Sequence, residues 1–510
     1  MTATLRPLLA GLLALSLGSC MVGPDFKRPD PPKDEGFLPP EEAIARTASV
    51  NVLGGEAQTF VRGLDIPAQW WQVFGSTSLD ALVERSMAAN PDIQAAIAGL
   101  KLAQQNAKAQ RAALFPTVGA SFNAQQNQQS LVLSPTPANG NNIFGLFTAL
   151  LNVSYVVDVF GGVRRATESL DAQAEQQCFL LEAAYLSLSS NVAVAAITEA
   201  SLRGQIAATT RSIEIQRQSL ALLQRRLSIG QGALADVAAQ QAALAQAEAA
   251  LPPLQNQLSQ QRHLLAQLTG QTTAHVPAET FELADLRLPQ EVPTSLPSLM
   301  VEQRPDVRAA EANVHAAAAG VGVAVANMLP QFNLGMGFGS ESLTLDTLFS
   351  PVVGASSTVG ATVAQTIIDG GALLARKRAA EAAWEQAKAQ YRSTVLTAFR
   401  NVADSLRALE FDATTLKAAA DAEVAAKLSL DITRRRLASG DAGLLDILNA
   451  ELTYQQAALA EVQAEANRFA DTAALYQALG GGWWNRDGDA AAQSARRAAC
   501  KPPKSAASSG

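Results

Sequence analysis

Leu146-Phe147-Thr148-Ala149-Leu150-Leu151-Asn152-Val153-Ser154-Tyr155-Val156-Val157-Asp158-Val159 alternates along its length. Phe147, Ala149, Leu151, Val153, Tyr155 and Val157 fall on one parity, and Thr148, Asn152, Ser154 and Asp158 on the other. Side chains of an extended chain point to opposite faces in turn, so this spacing predicts a two-faced strand. Thr117 to Gln128, Gln331 to Ser340 and Ser357 to Ile368 read the same way. Lengths of about ten to thirteen residues suit a tilted strand that crosses a bilayer. Ser130 to Asn142 and Glu341 to Gly354 join the strands in pairs; both are long for a hairpin but ordinary for the outer face of a membrane barrel. Four strands cannot close a pore, and open edges in lipid cost several kcal/mol per unpaired backbone group. Either the chain oligomerises or the strands form a soluble sandwich.

Outward from the strands, the chain is written twice. Asn90-Pro91-Asp92 recurs as Arg304-Pro305-Asp306 at an offset of 214, and Phe115-Pro116 as Leu329-Pro330 at the same offset. Leu227-Ser228-Ile229-Gly230 recurs as Leu437-Ala438-Ser439-Gly440, and Leu268-Thr269-Gly270 as Leu479-Gly480-Gly481. Each half runs Pro-Asp helix, two strands, one very long helix, a glycine turn and a returning helix. Residues 164–229 contain no proline, which as one helix extends about 99 Å. Cys178, Tyr185, Val192, Ile206, Ile213, Leu220 and Leu227 follow heptad spacing there, with Glu199 the polar interruption. Val395, Val402, Leu409, Leu416, Leu430 and Leu437 repeat the device around Glu423. Val237, Leu244, Leu251, Leu258 and Leu265 mark the first return helix, so each half holds a coiled-coil hairpin. Pro252-Pro253 is expected to interrupt and bend that helix. A second stripe, Leu181, Leu188, Ala195 and Leu202, gives the first long helix two seams and hence two neighbours.

Composition narrows the class. The 510 residues are 48% hydrophobic, 17% charged and 5% aromatic, which suits long, closely spaced helices. A net charge of −7, without a basic run carrying interleaved aromatics, excludes nucleic acid as a partner. The isolated His263, His275 and His315 lack the short paired spacing of zinc ligands. Cys178 and Cys500 encode no disulfide framework, and Cys178 reads as a core residue. No nucleophile-base-acid set or glycine-rich phosphate loop supports a periplasmic hydrolase, so the chain reads as no enzyme. Arg6, the apolar stretch Leu8 to Leu17 and Leu17-Gly18-Ser19-Cys20 read as an export signal too short to span a bilayer permanently. The tetrapeptide resembles the bacterial lipobox, which implies cleavage before Cys20, covalent lipid on Cys20 and, with Met21 following, passage to the outer membrane. No other cofactor is expected.

Cys20-Met21-Val22-Gly23-Pro24-Asp25-Phe26-Lys27-Arg28-Pro29, Trp70-Trp71-Gln72-Val73-Phe74-Gly75, the two Pro-Asp motifs, Asp369-Gly370-Gly371 and Leu475-Tyr476-Gln477-Ala478-Leu479-Gly480-Gly481-Gly482-Trp483 together resemble the outer-membrane factor (TolC-like) family. Within it, they are most similar to the NodT-type lipoproteins of resistance-nodulation-division efflux pumps. The resemblance covers residues 20 to 484. It implies a mainly α fold with a transmembrane β-barrel portion: a homotrimer in which four strands per chain build a twelve-stranded barrel, coiled-coil helices form a periplasmic α-barrel, and a mixed α/β region lies at the equator. The implied partners are a periplasmic adaptor (membrane fusion protein), an inner-membrane efflux transporter and outer-membrane lipid. On this reading residues 1–19 are a signal peptide, 20–75 a lipidated linker and equatorial segment, 76–285 and 293–484 the two repeats, and 485–510 a disordered tail.

A channel needs residues that close it and dock its partners. The second tip, Gly440 to Asn449, resembles the family's inner-hairpin tip, where acids ring the periplasmic entrance. Asp446 fits that role best, with Asp441 beside it and Asn449 neutral where some members carry a second acid. Both acids also suit ordinary placement at a helix N-terminus. Leu437 and Ala442 occupy positions where some members carry a Tyr and Arg latch. Gly230, Gly440, Leu227, Leu234, Leu437 and Leu444 are the candidate adaptor contacts, because exposed apolar tips need a partner. The alternatives are a structural coiled-coil lipoprotein and a type I secretion exit duct.

Overall fold

The structure is a computed structural model, and it describes residues 21–30, 36–42, 44–128, 130, 142–294, 297–350 and 355–486. Cys20, the signal segment, Cys500, most of the first strand connection and residues 487–510 lie outside the described residues.

Repeat 1 opens with α1 (Thr77–Ala89) and α2 (Pro91–Ala112). Asn90 ends one and caps the other, its Oδ1 accepting from Asp92 N at 2.8 Å and Ile93 N at 3.3 Å, with Pro91 in the first helical turn. Next come β2 (Thr117–Gln128) and β3 (Ile143–Val157), following the short β1 (Thr59–Arg62) of the N-terminal segment. The long helix α3 (Gly162–Ser228) has 67 residues, about 100 Å, and α4 (Leu234–Leu268) returns beside it. Repeat 2 follows β4 (Glu291–Thr294) and α5 (Pro297–Gln303) with α6 (Pro305–Ala326), β5 (Gln331–Ser342), β6 (Ala355–Ala364), α7 (Ala372–Ser439) and α8 (Leu444–Ala478). Helices α3 and α7 start the same way. Asp158 accepts from the backbone N–H of Val163 and Arg164, and Asp369 from those of Gly371 and Leu373.

Several expectations need adjusting. Strand β3 begins at Ile143 and β6 stops at Ala364, leaving Ile367 and Ile368 fully exposed beyond the sheet. Helix α4 passes Pro252 and Pro253 unbroken. The carbonyls that lose their donors belong to Glu248 and Ala249, both exposed, where water can replace the missing bonds. Cys178 is buried as expected, but it is disulfide-bonded, against the expectation of no disulfide. The fold also runs past residue 484: Asn485 Nδ2 donates to Ile66 O at 3.0 Å, and Arg486 pairs with Glu182 at 3.1 Å.

Both stripes of α3 are inside: Cys178, Tyr185 and Val192 on one, Leu181, Leu188, Ala195 and Leu202 on the other. The helix accordingly packs against α2, α4, α6 and α8. Between the sheet and the tips lies a knot made by the N-terminal segment, where β1 pairs in parallel with β4. Trp70 is its centre, stacked on Tyr476 at 5.8 Å between ring centroids and donating Nε1–H to Ser189 Oγ at 3.2 Å. Arg468 of α8 is fully buried there, Nη2 donating to Glu56 O and Gln58 Oε1, while Nε and Nη1 meet no protein partner. Burial and the neighbouring Asp471 carboxyl push the Asp412 pKa up to about 7, with Arg468 opposing. Burial likewise pushes Glu465 up to about 7, with Glu461 adding to it.

Folded values above the ordinary carboxylate range mean the native state holds these protons longer than the unfolded chain does. The contribution of these two groups to stability is therefore intact near pH 4 and is lost as pH rises through 7. Asp412→Asn removes one such titration; it should melt roughly 2–4 °C above the unsubstituted protein at pH 8 and level with it at pH 4. Differences that are equal at both pH values would refute the assignment.

Candidate functional site

The four long strands form one antiparallel sheet in the order β2-β3-β5-β6. Its register decides its chemistry, because residues directly opposite each other in antiparallel strands share a face. Val118 pairs with Val153, Val153 with Met336, and Met336 with Val359. Phe122 faces Ala149, Leu151 faces Phe338, and Phe332 faces Val363. The apolar parities of all four strands thus lie on one side. Gly119, Ser121, Asn152, Ser154, Asn333, Gly337, Thr358 and Thr362 lie on the other, together with Leu146, Leu150 and Val156 of β3, and there Ser154 Oγ donates to Asn333 Oδ1 at 3.3 Å. Val118, Phe122, Val359 and Val363 are 60% or more exposed. Within the described residues β2 and β6 each pair on one side only, so both sheet edges present unpaired N–H and C=O groups.

At the opposite end of the long helices lie two glycine turns. Gly230 has φ 75° and donates to Leu227 O at 3.0 Å, while Gln231 N donates to Arg226 O at 2.9 Å. Gly440 has φ 90°, donates to Leu437 O at 3.2 Å, and is followed by Asp441 N donating to Arg436 O at 2.8 Å. The left-handed backbone explains the glycine at both positions and closes each hairpin. Asp446 is exposed and its Oδ2 accepts from Gly443 N at 2.9 Å, so it caps α8. Asp441 Oδ2 accepts from Ser439 Oγ at 2.8 Å, and Asn449 is exposed one turn beyond Asp446.

The expected docking residues divide. Leu234 is 70% exposed, whereas Leu227 and Leu444 are half-buried. Leu437 is not a surface residue: it is 2% exposed, inside a tip core with Leu430, Ile447 and Tyr454. Its heptad position points it into the seam, which removes it from the docking set. Leu445, 74% exposed, was missed, because it lies off the heptad register. Also missed was Glu451 of α8, 2% exposed, which accepts from Ser219 Oγ at 2.5 Å and Gln240 Nε2 at 3.0 Å. These partners sit on α3 and α4, so one carboxylate joins the second hairpin to both helices of the first. The signal was available: Glu451 lies seven residues after Leu444, where an apolar residue is expected. A groove of about 540 Å³ between α3 and α7, edged by Gln218, Asp431, Arg434 and Arg435, lies behind the tips.

The model of the outer membrane efflux protein family matches residues 82–271 and 296–481, one match on each repeat. Among curated proteins, the pyoverdine export outer membrane protein OpmQ of Pseudomonas putida is 29% identical over 453 residues, 87% of this chain and 94% of that one. Among solved structures, the outer-membrane channel OprN superposes with a TM-score of 0.80 at 27% identity, covering 91% of this chain and 100% of the other. VceC of Vibrio cholerae, an outer membrane protein, gives 0.76 at 27% identity over 82% and 100%. With both repeats matched and a two-faced sheet above a double helical hairpin, the chain belongs to the outer membrane efflux protein family.

Proposed function

We propose that three copies of this chain close one twelve-stranded barrel in the outer membrane. Their helices would enclose a tunnel through which an inner-membrane transporter, coupled by a periplasmic adaptor, discharges solutes. The sheet carries this reading: one continuous apolar face, a second face richer in polar and small residues, and two open edges make the wall of a barrel without being a barrel. Pairing β6 of one copy with β2 of the next satisfies every edge at once, which lipid demands and water does not. Leu396, Phe411, Val424 and Leu428 of α7 are more than half exposed, an apolar flank suited to a second copy lying alongside. The export role that OpmQ carries in its name agrees with conduction rather than bond chemistry.

Three further assignments extend the reading. Cys20 carries the lipid anchor implied by the lipobox resemblance. Three copies of Asp446 surround the axis at the periplasmic entrance, where mutual repulsion and cation attraction hold the gate near its opening point; Asp441 and Asn449 border it. The adaptor seats on Gly230 and Gly440 with Leu227, Leu234, Leu444 and Leu445 beside them.

The purified protein should have about three chain masses in detergent and conduct ions in planar bilayers; a monomer that passes no current would end the proposal. Asp446→Asn removes the charge while keeping an acceptor for Gly443, so it should change cation block with little change in melting temperature. Asp446→Ala should additionally lose about 1 kcal/mol of capping, and traces identical to the unsubstituted channel in both variants would remove Asp446 from the pore. Cys20→Ala should abolish metabolic lipid labelling, and a labelled band of full intensity would exclude the anchor.

A further inference from the structure

The segment that opens the described chain, Met21 to Arg28, lies in a groove between α3 and α6 that contacts it at Val22, Gly23, Asp25, Phe26 and Arg28. Val22 N donates to Phe160 O at 3.1 Å. Arg165 of α3, 2% exposed, donates Nε to Val22 O at 3.1 Å and Nη2 to Gly23 O at 3.4 Å and Asp25 Oδ1 at 2.6 Å. Its remaining arm pairs with Glu168 at 2.8 Å. Glu168 also meets His315 of α6 at 2.9 Å, and Phe26 stacks on that imidazole with centroids 4.4 Å apart and planes at 17°. Arg28 completes the row with Glu311 at 3.0 Å and Glu302 at 3.3 Å.

The floor of the groove admits only glycine. A Cβ on Gly322 would lie 2.8 Å from Arg165 Cγ and 2.9 Å from Val22 O, and one on Gly161 would lie 2.7 Å from Met21 Cγ. Gly23 has φ 94°, and a Cβ there would lie 2.4 Å from Gly322 Cα. Exposure alternates from Met21 to Phe26, as in an extended peptide laid on a surface.

We infer that this groove is a peptide-binding site for the chain's own N-terminal segment, recognising glycine, then an acid, then an aromatic residue, and that its occupancy staples the first repeat to the second beneath the sheet. The staple has one leg on α3 through Arg165 and the other on α6 through His315 and Glu311. Two features separate it from ordinary packing. A guanidinium 2% exposed takes its bonds from two successive backbone carbonyls and the Asp25 carboxylate, so emptying the groove strips three of its partners at once and leaves it Glu168. The Gly23 and Gly322 backbones touch, a closeness that a merely adjacent segment does not require. The inference is independent of whether Cys20 carries lipid and of how many copies assemble.

Limited trypsin digestion of the purified full chain tests it, read as the rate of cleavage after Lys27; Arg28 precedes Pro29 and is not cut. Gly23→Val should raise the rate roughly a hundredfold and Asp25→Asn about tenfold. Asp25 is 86% exposed on its side chain, so the second variant leaves the core untouched. A fluorescent peptide of residues 21–28 should bind the Gly23→Val protein but not the unsubstituted one, whose groove is filled. Cleavage rates unchanged in both variants, or a peptide that ignores the vacated groove, would overturn the inference.

Discussion

Everything above the helices depends on the unpaired edges of one sheet. An N–H or C=O group without a partner costs little in water and several kcal/mol in hydrocarbon. A four-stranded sheet with an apolar face therefore has no stable place in a membrane by itself, yet its register has gathered Val118, Val153, Met336 and Val359 onto that face. An apolar face that seeks lipid and edges that cannot tolerate it are reconciled in the proposed trimer, where strands of neighbouring copies pair with both edges. β2 and β6 are the outermost strands and are exposed along nearly their whole length, which keeps both edges available.

Below the sheet the two repeats solve one problem with different chemistry. At the start of the first repeat, Asn90 Nδ2 donates to Leu268 O at the end of its return helix, at 3.0 Å. At the start of the second, Arg304 Nη1 donates to Ala478 O at the end of its own, at 2.7 Å. Each terminal carbonyl would otherwise lack a helical partner. The two repeats share this geometry with different donors, an amide in the first and a guanidinium in the second. Arg304 gains a bidentate pairing with Asp306 that Asn90 does not need, because Asn90 spends its Oδ1 on the cap.

How much of this was legible in the residues depended on whether a pattern was periodic. Strand parity, heptad stripes and the doubled Pro-Asp motif are periodic, and the strands and hairpins lie within a few residues of where those patterns put them. The faults came where a local rule met an exception. Pro252-Pro253 lies in a helix that runs on unbroken, where the residues whose carbonyls lose their donors, Glu248 and Ala249, are exposed to water. Leu437 looked like a tip residue because it stands next to Gly440, but its heptad position carries it inward. Arg165 and Arg468 carry no such signal, because a single polar residue off a stripe has no period and its partners lie up to hundreds of positions away; Glu451 differs in interrupting a heptad position.

Glu451 shows what such a residue contributes near the hairpin tips. In the seam between the hairpins it replaces an apolar side chain with a carboxylate whose two oxygens are taken by Ser219 and Gln240. A buried ionic or polar pairing adds little net stability over a well-packed apolar one, but stripping one partner away costs about 3–5 kcal/mol. Sliding α8 by one turn against the first hairpin would do that, whereas a leucine in the same place would slide with small loss. The carboxylate therefore sets the height of the second hairpin relative to the first. Asp446 stands little more than one turn nearer the tip on the same helix, so that height is also the height of its charge.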